Sequence, residues 1–176
     1  MKFNILLFLI VLCFGCSKVI PRKPIEPKPS TTLLKETVAT SKILNKAEDK
    51  RITSLIAKDS TTTYITSTNG FWYTYINKVE EISATPKTGQ EVTISYSIKN
   101  LNDTVIYSEE ELGIKKYNVD KEDFITAIQQ GIKLMKIGET ITFVIPSYNA
   151  FGISGDGNKI GVNQSIKSTV TLINIK

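Results

Sequence analysis

An α+β fold is what this sequence predicts: an antiparallel β-sheet wrapped around one short α-helix, preceded by an amphipathic helical extension. Three observations carry it. Apolar residues between Leu33 and Lys58 recur mostly at three- or four-residue steps, the period changes to two beyond Lys58, and one short helical stretch interrupts the strands that follow. A parallel sheet would need several crossover helices, which the strand region does not offer. The 176 residues, 41% hydrophobic and 22% charged, suit one globular body with an appendage rather than a disordered chain.

At the N-terminus, Met1 and Lys2 precede an apolar run from Ile5 to Val11, then Leu12-Cys13-Phe14-Gly15-Cys16 and the polar Ser17-Lys18. The run is shorter than the about 20 apolar residues a bilayer span needs and reads as the core of a secretory signal. Gly15 directly before Cys16 resembles the lipobox of bacterial lipoproteins, although Cys13 stands where that box usually has Leu and Phe14 is bulky for its slot. On this reading residues 1–15 are a removed signal peptide and Cys16 is lipidated. The protein is then a lipid-anchored membrane protein of the bacterial cell envelope, facing the periplasm, with no second cysteine for a disulfide. The competing readings are an uncleaved signal anchor and a Cys13-x-x-Cys16 redox pair, which would lack the surrounding α/β domain such a pair uses. Residues 16–32 are a Lys/Pro-rich tether, in which Pro21, Pro24, Pro27 and Pro29 interleave with Arg22, Lys23 and Lys28 and favour an extended, solvated spacer. Its cations could each add about 1 kcal/mol of attraction to an anionic leaflet, or simply keep a linker soluble.

Residues 33–69 form the helical extension. Leu34, Val38, Leu44, Ala47, Ile52, Leu55 and Ile56 make its apolar stripe, while Thr37, Thr40, Ser41 and Asn45 weaken its middle and leave one long helix or two open. The stripe packs on the body, on a membrane or on a second copy as a homodimer contact. Residues 70–176 are the main domain. Asn69-Gly70 is a tight-turn pair before the aromatic strand Phe71 to Ile76. Val92, Ile94, Tyr96 and Ile98 alternate with Thr93, Ser95 and Ser97, the signature of a strand with one buried face. Further strands are expected at Val105 to Tyr107 after the Asn102-Asp103 turn, around Ile114 to Val119, at Ile141 to Ile145 before Pro146, and through Val170, Leu172 and Ile175. Asp120 is placed to cap a short helix bearing Phe124, Ile125, Ile128, Ile132 and Met135.

The sequence contains no histidine, which excludes Ser-His-Asp and Cys-His nucleophile systems and H-E-x-x-H zinc sites. No cofactor or metal is called for. The formal charge is +5, but residues 1–30 hold +4 of it, so the remainder is nearly neutral and lacks the basic footprint of a nucleic-acid binder.

Four strings carry a resemblance to a known family: PKTGQEVTISY (Pro86 to Tyr96), VIYS (Val105 to Ser108), FITAIQQGIKLMKIGE (Phe124 to Glu139) and PSYNAFG (Pro146 to Gly152). Over about residues 86 to 175 the chain resembles the FK506-binding-protein (FKBP) type of peptidyl-prolyl isomerases. With the signal, the tether, the helix and FWYTYINK, the whole is similar to the gliding-motility-associated isomerase lipoproteins of the Bacteroidetes. The resemblance implies an FKBP-like sheet around one helix, and a chemistry suited to a chain without histidine. Rotation about an X-Pro amide makes and breaks no covalent bond; it is slow because resonance holds the bond planar behind a barrier of about 18–20 kcal/mol. An apolar cup that desolvates the prolyl amide, whose planar form has the larger charge separation, favours the twisted form without an acid or base.

The resemblance further implies that Tyr96, Tyr107, Ser108 and Phe151 take catalytic positions. Phe124, Ile125, Ile160 and Leu172 would contact substrate, with Ile128 as the floor. Read from the strands alone, the same apolar residues are core. Two departures stand out: Ser108 where the family usually has aspartate, and Phe151 where it usually has tyrosine. Tyr96, Ser108 or Glu109 could supply a replacement polar group, while Glu109-Glu110-Glu111 also reads as a solvated turn. The function expected is a membrane-anchored isomerase acting on proline-containing polypeptides, folding exported envelope proteins and linked to gliding motility. The alternative is a catalytically weak peptide-binding or assembly module of the envelope.

Overall fold

A computed structural model of the chain describes residues 31–81 and 83–176. The expected signal peptide, Cys16 and all but the end of the tether lie outside the described residues. Contacts divide the chain into two compact units, Met1–Val38 and Ala39–Lys176. Among the described residues no helix is long and apolar enough to cross a membrane, and no group of carboxylates or cysteines is arranged to hold a metal ion.

The first element is one continuous helix, α1, Thr31–Ile56. The polar residues that weaken its propensity do not break it. In its last turns the Thr53 and Ser54 hydroxyls donate to the carbonyls of Asp49 and Lys50 four residues back, each at 2.8 Å, so they are absorbed within the helix. In the unit Ala39–Lys176, little of the apolar stripe is buried. Ile52 is fully enclosed with Trp72 and Val144, Ile56 packs beside them, and Leu44 and Leu55 stay exposed. The helix ends at Ile56, two residues before Lys58, where the apolar three- and four-residue spacing gives out. Past it the chain reverses into β1, Ile65–Thr66, which pairs with β2, Trp72–Asn77. The physical reason is the run Asp59 to Thr63: the Asp59 carboxylate accepts from the Thr61 amide and hydroxyl, a local turn that competes with helix.

The remaining strands are β3, Glu91–Asn100, β4, Val105–Tyr107, β5, Ile114–Asn118, β6, Thr140–Ile145, and β7, Ile166–Ile175. They form one antiparallel sheet in the order β1-β2-β6-β7-β3-β4, with β5 also paired to β3. Alternation in β3 works as the sequence implies: Val92, Ile94 and Ile98 are buried and Tyr96 partly so. Between β3 and β5, Glu109–Leu112 is a single helical turn, α2, rather than a plain turn. Between β5 and β6 lies α3, Thr126–Gly131, continued as a 3-10 turn through Leu134.

The helix α3 presses Ala127, Ile128 and Gly131 onto the sheet. Gly131 is required there, since a Cβ would lie 2.3 Å from Cε1 of Phe143 on β6. Asp120 does not cap this helix. It occupies a left-handed turn (φ 57°) six residues before Thr126, where its carboxylate takes Lys133 Nζ at 2.6 Å and Thr88 Oγ1 at 2.5 Å. The segment after β2 is fastened by a buried carboxylate. Glu139 accepts from the Val79 and Lys136 amides, and Lys136 Nζ donates to the carbonyls of Val79 and Glu81.

Candidate functional site

Three separate stretches converge beside α3. β3 supplies Tyr96, the segment entering α3 supplies Asp123, Phe124 and Ile125, and the turn after β6 supplies Ala150 and Phe151. With Lys115 from β5 they line an open cleft of ≈ 410 Å³. The Phe124 ring is its pivot. It meets Tyr96 edge-on at 5.4 Å between centroids and leans on Tyr117 at 4.8 Å, with the Lys115 ammonium 5.9 Å from its centre. Such edge-to-face packing fixes the rings more firmly than area burial alone.

Phe151 is held by backbone geometry. Pro146 ends β6, and residues 147–149 make a 3-10 turn. The Ser147 carbonyl then accepts from the amides of both Ala150 and Gly152, at 3.0 and 2.8 Å, so the two neighbours of Phe151 hang from one oxygen. Gly152 takes φ 59°, which a side chain would oppose.

Polar groups in the cleft are few. Burial pushes the Tyr96 phenol above its ordinary pKa, so it stays protonated at neutral pH. Its hydroxyl has no hydrogen bond among the described residues and is free to donate. Burial and the nearby Asp120 push the Tyr117 phenol further up; this hydroxyl is buried with no hydrogen-bond partner among the described residues.

Of the residues singled out from the sequence, Tyr96, Phe124, Ile125 and Phe151 meet in the cleft. Ile128, Ile160 and Leu172 are fully or almost fully enclosed in the core around it, at 0, 2 and 0% exposure, and Tyr107 packs against that core. Ser108 has a different task. Its hydroxyl accepts from the Glu111 amide at 3.2 Å and caps α2.

Sequence reading overlooked Asp156. The Tyr107 hydroxyl donates to its Oδ2 at 2.5 Å, while its Oδ1 accepts from the amides of Asn158 and Ile160. Burial acts to raise the Asp156 pKa, but these bonds outweigh it and hold the group below the ordinary carboxylate range. The same hydrogen bond raises Tyr107, so the charge stays on Asp156. Lys159 completes the clasp, pairing with Glu111 and lying 4.7 Å over the Tyr107 ring. The signal available was Gly155-Asp156-Gly157, a carboxylate between two residues of left-handed backbone suited to binding its own loop amides.

The model of the FKBP-type peptidyl-prolyl cis-trans isomerases matches residues 83–173. Among solved structures, FkpA from Escherichia coli is similar at 20% identity and TM-score 0.61, over 100% of this chain and 82% of that one. A peptidyl-prolyl cis-trans isomerase from Pseudomonas syringae pv. tomato is similar at 18% identity and TM-score 0.59, over 75% of this chain and 96% of that one. At these identities the structural likeness is one of fold. No curated protein matches in sequence.

Proposed function

The chain belongs to the FKBP-type peptidyl-prolyl cis-trans isomerase family, and from that premise we propose that it is a lipid-anchored isomerase of the bacterial envelope that helps exported proteins fold. Its activity is isomerisation of X-Pro peptide bonds in proline-containing polypeptides. The observation that carries the site assignment is the aromatic cleft of Tyr96, Phe124, Ile125, Ala150 and Phe151. A prolyl ring seated against Phe124 and Phe151 takes its amide out of water. Desolvation penalises the planar, charge-separated form more than the twisted one, and the Tyr96 hydroxyl is a neutral donor for the carbonyl as conjugation is lost. No group has to gain or lose a proton.

The envelope assignment rests on the signal-like segment and Gly15-Cys16. Uncatalysed X-Pro isomerisation takes tens to hundreds of seconds and can limit folding, so an isomerase tethered where unfolded chains emerge has a clear task. The likeness of the N-terminal organisation to gliding-motility lipoproteins extends this to clients of a motility apparatus. The stripe of α1 is a candidate contact for a second copy. A protease-coupled or NMR exchange assay on an Ala-Pro or Leu-Pro peptide tests the site: Phe151→Ala should lower kcat/KM, and an unchanged value would refute the assignment. Mass spectrometry of the mature chain tests the anchor. An acylated Cys16 and release of Cys16→Ser from membranes are expected, whereas an unmodified Cys16 would remove the anchor.

A further inference from the structure

Outside the cleft, one side chain of α1 reaches across about a hundred positions of sequence to the turn that carries Phe151. The Glu48 carboxylate accepts from the Ser147 amide at 2.7 Å, from the Ser147 hydroxyl at 2.8 Å and from the Ser165 hydroxyl. Beside it, the Tyr148 hydroxyl donates to Asp49 at 2.8 Å. Ser147 is 4% exposed. Its polar groups are divided: the amide and hydroxyl face Glu48, and the carbonyl holds the amides of Ala150 and Gly152. Ser165 stands directly before β7, so a single carboxylate ties the end of β6 to the start of β7 at the mouth of the loop that carries Gly152, Gly155, Gly157 and Gly161.

We propose that Glu48 is a positioning residue for the isomerase, acting through Ser147 to set where Phe151 stands in the cleft, and that this segment of α1 is part of the machinery. A carboxylate taking three short hydrogen bonds from two segments fixes the turn in orientation as well as in distance. The prolyl wall must be held closely, because a small displacement of a wall residue is felt directly in binding and alignment. Glu48 touches no substrate; it orders the turn that does. The inference rests on the reading of Phe151 as a wall of the prolyl site.

The test compares Glu48→Gln, Glu48→Ala and Phe151→Ala in the peptide isomerisation assay, with Trp72 emission recorded for each. Trp72, the one tryptophan, is 9% exposed against Ile52 and Val144, so its emission reports whether α1 remains seated. Glutamine keeps a carbonyl oxygen for the Ser147 amide, so a graded result is expected. Glu48→Ala should lose roughly five- to tenfold in kcat/KM, Glu48→Gln less, with Trp72 emission unchanged. The loss should fall in both KM and kcat, since a displaced wall residue holds the ring less firmly and also shields the prolyl amide less from water. Wild-type kcat and KM in both Glu48 variants, with Phe151→Ala impaired, would overturn the positioning role alone. Wild-type kinetics in Phe151→Ala would instead overturn the site assignment beneath it. A red shift of Trp72 matching the loss of activity in both Glu48 variants would assign the effect to undocking of the helix and also overturn the proposal.

Discussion

The most telling residue is Asp156. Sequence comparison looks for a carboxylate next to the aromatic of VIYS, finds Ser108, and infers a missing polar group; the fold brings a carboxylate to Tyr107 from a loop 49 positions away. Strand residues were legible because burial alternates with the pleat, as at Val92, Ile94 and Ile98, whereas a loop side chain that folds back on its own amides leaves no periodic trace. Tyr107→Phe should lower the denaturation midpoint by cutting the loop's tie to β4. Because Asp156 has a depressed pKa, its contribution is complete above the unfolded carboxylate value of about 3.9 and disappears as pH falls through the lower folded value. The difference between wild type and Tyr107→Phe should therefore narrow as pH falls below about 4, and a gap that stays constant through that fall would mean that the phenol acts by packing. At the cleft the shift runs the other way: the Tyr96 phenol is raised from 10.0, and the chain has no histidine. Activity should consequently be flat between about pH 6 and 8. A bell-shaped profile of kcat/KM over that range would show that a titrating group takes part.

Among the elements, α3 was found from its apolar spacing, but its start was not. Asp120 looked like a cap because it precedes the apolar residues, yet Gln129 reaches back to it, its Oε1 accepting from the Asp120 amide and its Nε2 donating to the Glu122 carbonyl. Those bonds hold residues 120–125 as an irregular arm, which leaves Phe124 and Ile125 in the cleft rather than on a helix face. The seam between α3 and β6 has its own requirement at Gly131. Gly131→Ala should destabilise by overpacking, about 1–3 kcal/mol, despite the better helix propensity of alanine. Urea titration measures this, and an unchanged or raised midpoint would mean that Phe143 moves aside freely. The helix α1 was legible as amphipathic but not as to which part of its stripe is used: Ile52 is buried at 0% and Leu44 exposed at 62%. Periodicity identifies a face, whereas the partner decides which turns of that face are covered.

For the molecule as a whole, the main domain was expected to start at residue 70, after the turn pair Asn69-Gly70. The turn is there, but β1, Ile52 and Glu48 contribute to the unit that begins at Ala39. A chain beginning at Ala39 should match the urea midpoint of a longer soluble form, and one beginning at Gly70 should lose several tenths of a molar or more as Trp72, Val144 and Ser147 are uncovered. Equal midpoints for the two would make α1 an accessory without structural weight. The overall α+β arrangement was readable from the order of periodic segments, but the strand order was not, because pairings such as β3 with β7 join residues 66 to 83 positions apart. That last pairing has a kinetic side. β7 lies between β6 and β3 and is the common neighbour of both. During synthesis from the N-terminal end, neither strand can close the sheet until residues near 175 have left the ribosome. Formation of the native state therefore waits for β7 and depends on high-contact-order closure, which is slow for a sheet of this kind. Until then β3 and β6 each keep one edge unpaired, where mispairing competes with folding and a protecting partner can act.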